Sequence, residues 1–129
     1  MEHAFKIIVC GGRDYGYRRN EKTSKKERYQ PEIDRIFNTL DRIRLAIGRP
    51  LVIIQGGADG VDLFAKEWAH SRGVPVEEYK AEWDTYGKRA GYLRNARMLE
   101  EGNPKAVVAF PGGKGTSMMV SLARKRAYH

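Results

Sequence analysis

Three short glycine-rich segments, each directly after an apolar run, hold the residue types that would bind an anion. Gly11-Gly12-Arg13-Asp14 follows Phe5-Lys6-Ile7-Ile8-Val9-Cys10, and Gln55-Gly56-Gly57-Ala58-Asp59-Gly60 follows Leu51-Val52-Ile53-Ile54. Pro111-Gly112-Gly113-Lys114-Gly115-Thr116 follows Ala106-Val107-Val108-Ala109-Phe110. Glycine allows positive φ and a close approach of the backbone to a ligand. Where such a turn opens a helix, the free N–H groups and the helix dipole behind them hold a phosphate. One such turn is a common connection between strand and helix. Three in one chain point to a shared phosphate or nucleotide site.

The side chains around these turns each have a structural and a chemical reading. Arg13, just past the first run, is placed to meet a phosphate. Thr116 can cap the helix that follows or bond a phosphate oxygen, and the two roles are compatible. Asp59 and Asp62 have the spacing of a helix N-cap and its first-turn partner, and equally that of acceptors for ribose hydroxyls. Trp83, beside Asp84, can stack on a base or simply pack over a loop. Arg94 and Asn95 belong to a helical stretch and would face the same pocket.

Several known chemistries are excluded. Val108 stands where a Walker A loop needs its first glycine, and no complete G-x-G-x-x-G follows the first run. His3, His70 and His129 are scattered, and the one cysteine, Cys10, sits in an apolar run, so no zinc site is expected. No serine lies in a nucleophile elbow. No metal or organic cofactor is implied.

The elements that must position these loops follow from periodicity. The first, second and fourth apolar runs are nearly continuous, as in parallel strands. A third run, Val74-Pro75-Val76-Glu77-Glu78-Tyr79, alternates and carries Pro75, which predicts an edge strand. Ile33, Ile36, Phe37, Leu40, Ile43 and Ile47 recur at helical spacing, with Pro31 in the first turn and Gly48 and Pro50 as the stop. A second helix is predicted over Leu63 to Ala69, a third over Lys88 to Glu101, and a fourth from about Gly115. Arg124-Lys125-Arg126 would complement the dipole at its end. Four strand–helix alternations predict an α/β, Rossmann-like three-layer domain with a mostly parallel sheet. The expected strand order is 3-2-1-4, with the ligand at the carboxyl edge where the order reverses. Arg18 to Arg28 is charged and without period, and is expected as a flexible loop or a basic flap over the ligand.

Composition bounds the rest. The 129 residues fit one domain, and 41% apolar content supplies a core. A net charge of +8 favours anionic partners: nucleotides, nucleic acid, or an acidic protein or membrane surface. A single cysteine permits no internal disulfide, and neither a membrane span nor a signal-peptide pattern is present, so the cytoplasm is expected.

The ordered set Gly11–Asp14, Gly56–Asp62, Ala81-Glu82-Trp83-Asp84, Gly91–Met98 and Pro111–Thr116 resembles the YspA-like branch of the SLOG superfamily. That superfamily is related to the Lonely Guy phosphoribohydrolases and to DNA-processing protein A. The resemblance implies a pocket for a nucleotide or nucleotide-derived ligand. Lonely Guy enzymes follow their Pro-Gly-Gly-x-Gly-Thr with two residues and then a catalytic glutamate, a position where this chain has Met119. Methionine cannot stabilise an oxocarbenium-like sugar or activate water. A hydrolase would therefore need Asp14, Asp59, Asp62 or Asp84. Binding or sensing of a nucleotide is the leading expectation, ahead of a nucleoside-monophosphate phosphoribohydrolase and of a DNA-binding protein. Met118 and Met119 are expected in the core, with a homodimer contact as the alternative.

Overall fold

The structure, a computed structural model, describes residues 3–127. His129 lies outside the described residues.

Strand β1 (Phe5–Cys10) is central because it is apolar on both faces. Ile7 and Val9 point to one side of the sheet and Ile8 to the other, the two-residue alternation of an extended chain. Strand β4 (Leu51–Gln55), buried at all five positions, pairs parallel to β1 with Phe5 opposite Leu51 and Ile8 opposite Ile54. On the other side of β1 runs β6 (Ala106–Ala109), also parallel, with Ile7 opposite Ala106. The short β5 (Val76–Glu78) pairs with β4 at the far edge, as Pro75 implied. The resulting four-stranded order is β5-β4-β1-β6, which is the expected 3-2-1-4.

Helices cover both faces. On one, α1 (Gln30–Ile47) and α2 (Val61–Arg72) bury Ile33, Ile36, Leu40, Phe64 and Trp68 against Ile7, Val9 and Ile53. Pro31 lies in the first turn of α1, and Gly48 ends it. On the other face, α4 (Ala90–Glu100) and α5 (Lys114–Ala127) bring Met98, Leu99 and Met119 onto Ile8 and Ile54. Before α4 come a single turn, α3 (Trp83–Tyr86), and a 3₁₀ turn at Gly87–Arg89.

The charged segment expected as a flexible loop contains an antiparallel hairpin. Its strands are β2 (Tyr17–Arg19) and β3 (Lys26–Arg28), with Tyr17 opposite Arg28. Tertiary contacts fix it, since its own sequence has no apolar alternation. The Tyr17 ring sits 5.3 Å from that of Phe64. Arg28 donates two hydrogen bonds to Glu67, at 2.9 and 2.7 Å. Among the described residues, no helix is long and apolar enough to cross a membrane.

Candidate functional site

Parallel strands deliver all three glycine loops to one edge of the sheet, and the loops bond to one another. The Gly12 N–H donates to the Pro111 carbonyl at 2.8 Å, and the Val61 N–H donates to the Gly12 carbonyl at 3.2 Å. Contacts this close leave no room for side chains. A Cβ on Gly112 would lie 2.6 Å from the Gly12 nitrogen. Gly60, at φ +71, would drive a Cβ into the Gly12 carbonyl oxygen, and its conformation disfavours other residues in any case.

Between these loops, α3, α4 and α5 lies a cleft of about 490 Å³. The first loop contributes Gly11, Gly12 and the exposed Arg13, and the second contributes Gly56 and Ala58. Gly113, Gly115 and Thr116 line it from the start of α5. The carbonyl of Gly113 accepts from Ser117. The N–H groups of the first turn have no such helical partner, and Gly115 and Thr116 of that turn line the cleft. Trp83 and Tyr92, 49% and 47% exposed, stand on the α3–α4 side with Lys88. Of these, Lys88 and Tyr92 were not singled out by the sequence, whereas Ala58 belongs to the second glycine loop, which was. The helical pattern from Lys88 onward was visible, but not which of its residues turn towards the loops.

Arg94 and Asn95 tie the second loop to α5. Arg94 Nη1 donates to the Gly56 carbonyl at 2.8 Å, and Nε donates to Asn95 Oδ1 at 2.9 Å. Asn95 Nδ2 in turn donates to the Gly115 carbonyl at 3.4 Å. Burial holds the Arg94 guanidinium below its ordinary value, the Arg13 charge adds to this, and Asp62 opposes both. Two cations thus converge on the cleft.

Four aspartates were candidates, and only Asp62 lines the cleft. It is not a helix cap. Its Oδ2 accepts the N–H groups of Gly56 at 3.2 Å and Ala58 at 3.1 Å, pinning the second loop. Burial pushes its carboxyl up to about 6, against those two N–H groups and Arg94. Asp59 instead accepts from the Tyr17 hydroxyl at 2.6 Å and pairs with Lys26 at 3.3 Å. Burial pushes its carboxyl up, but these partners and the Gly60 N–H hold it below the usual range. Asp14 is almost fully exposed and lies 3.4 Å from Lys26, and Asp84 is exposed on α3. Gly57, Pro111, Gly112 and Lys114 also lie outside the lining. Pro111 and Gly112 act one step back, through the contacts that set the loops.

A sequence profile of the YspA, cpYpsA-related SLOG family matches residues 5–86, from β1 through the second glycine loop to α3. The chain belongs to this family. The SLOG match ends before α4 and α5, so the Pro111–Thr116 loop is placed by the fold rather than by the profile. A relative, the Gene 61 protein of Mycobacterium phage D29, is 38% identical over 82 residues. That alignment covers 58% of this chain and 65% of the phage protein, just under two thirds of its length. No solved structure matches the chain.

Met119 lies 1% exposed against Ile8, Ile54, Met98 and Leu99, with one side towards the cleft. The cleft lining is therefore apolar at this position. Among the described residues, no group of three or more His, Cys, Asp or Glu could hold a metal ion.

Proposed function

We propose that this SLOG-family chain binds a nucleotide or nucleotide-derived phosphate ligand in the cleft at the carboxyl edge of its sheet. One observation carries the reading. The first turn of α5 opens into the cleft beside Gly11 and Gly12, and Arg13, Lys88 and Arg94 supply the positive charge. Unpaired helix N–H groups, the helix dipole and nearby cations form an anion site. The cleft is lined from beyond the carboxyl ends of β4, β1 and β6, a stretch that includes the point between β1 and β6 where the strand order reverses and open α/β sheets take their ligands. Trp83 and Tyr92 offer faces on which a base would stack.

The arrangement favours binding or sensing over glycosidic hydrolysis. Asp62 is the one carboxylate among the lining residues, and one of its oxygens is already engaged by the loop. Hydrolysis through paired carboxylates has no second member here.

Thermal unfolding against nucleoside mono-, di- and triphosphates, nicotinamide dinucleotides and ADP-ribose tests the reading. A ligand at about 100 times its Kd adds roughly 2.7 kcal/mol, a rise of several degrees for a domain of this size. Absence of a shift across the panel overturns it and moves nucleic acid to the front, where steep salt dependence of DNA binding would be the signature.

A further inference from the structure

Asp62 has one carboxylate oxygen to spare. Oδ2 carries both loop hydrogen bonds, and no donor among the described residues reaches Oδ1. No buried side-chain oxygen or nitrogen among the described residues is left without a partner, so Oδ1 is open to water. The space it opens onto is the cleft that Asp62 lines. Arg94, whose charge is felt at Asp62, directs its donors to Gly56, Tyr79 and Asn95. A carboxylate in an otherwise cationic cleft repels phosphate. It must face the part of the ligand that carries hydrogen-bond donors.

The topology says which part that is. Asp62 sits in the first turn of α2, which follows β4, whereas α5 follows β6, with β1 between the two strands. Two strand spacings are about 10 Å, a span suited to a 5′-phosphate at α5 and the far edge of its ribose at Asp62. The exposed aromatic side chains Trp83 and Tyr92 occupy the α3–α4 side, leaving that side to the base. We infer that Asp62 Oδ1 accepts the vicinal hydroxyls of a ribose, so that the cleft selects ribonucleotides over their deoxy counterparts. This rests on the nucleotide reading above and deepens it.

The experiment compares the 5′-monophosphates of adenosine, guanosine, cytidine and uridine with their 2′-deoxy and 3′-deoxy forms, by calorimetry on the full chain. Loss of a hydroxyl leaves a carboxylate acceptor unmatched, so affinity should fall about ten- to a hundredfold. In Asp62→Ala the ribo-to-deoxy ratio should collapse towards one, with folding checked by circular dichroism. The wild-type comparison stands by itself if that variant unfolds. Equal binding of ribo and deoxy forms overturns the inference and leaves the nucleotide reading intact. So does a ratio that survives in Asp62→Ala, or a preference that follows the base amino group when adenosine and inosine monophosphates are compared. Failure of every nucleotide to bind overturns both.

Discussion

Replacing Gly113 by leucine separates ligand binding from folding. Gly113 lines the cleft, and a Cβ built on it meets no atom within 4 Å. Its φ is outside the left-handed region, so a side chain there carries no backbone strain. The free protein should therefore keep its stability within about 0.5 kcal/mol, or gain slightly through a stiffer unfolded chain. The leucine side chain would project into the space beside the first N–H groups of α5, where the phosphate is proposed to sit. A nucleotide at about 100 times its wild-type Kd stabilises the wild type by roughly 2.7 kcal/mol. At roughly 3 °C per kcal/mol for this size, that is about 8 °C. In Gly113→Leu the increment should vanish while the unliganded Tm holds. Gly112→Ala is the opposing control. Its Cβ would lie 2.6 Å from the Gly12 nitrogen, so the free protein should lose on the order of 1–3 kcal/mol. Differential scanning fluorimetry with and without ligand reads all of these values. A ligand shift that survives in Gly113→Leu would refute the placement of the phosphate at the start of α5.

Two further predictions concern the titrating groups of the cleft. Asp62, raised from 3.8 to about 6, holds its proton more tightly folded than unfolded. Its contribution is full below pH 4 and is lost as pH rises through 6, a change on the order of 3 kcal/mol. Carboxylates lowered in the fold, such as Asp41 and Asp59, act in the opposite direction. The contribution is therefore isolated as wild type minus Asp62→Asn in urea melts between pH 4 and 7, and parallel curves would contradict it. Cys10 is pushed up to about 12, mainly by burial and further by Asp62, although it reaches the cleft. Its thiol stays protonated at pH 8, so iodoacetamide should label it far more slowly in the folded than in the unfolded protein, as mass spectrometry can follow. Rapid labelling of the folded protein would show a more open β1 end than the structure has.

The fold was legible in the sequence because its signals are local. Continuous apolar runs, a helical stripe from Ile33 to Ile47 and glycine at the stops depend on residues a few positions apart. The short connections of a doubly wound sheet then leave few orders, and β5-β4-β1-β6 is one of them. The loops were legible for the same reason, since a glycine turn at a parallel strand end can only lie on one edge.

Tertiary structure decided what each polar side chain does. Asp59 and Asp62 are three residues apart and read alike, yet one faces Tyr17 and Lys26 and the other pins the second loop from inside the cleft. The hairpin from Tyr17 to Arg28 exists because Phe64 and Glu67, on a helix more than thirty residues later, hold it. Lys88 joins the site from the 3₁₀ turn that precedes α4, and Tyr92 from the first turn of α4 itself. In each case the deciding contact lies between residues distant in the chain. Periodicity records which face of an element is apolar, whereas partner and direction arise only when the elements pack.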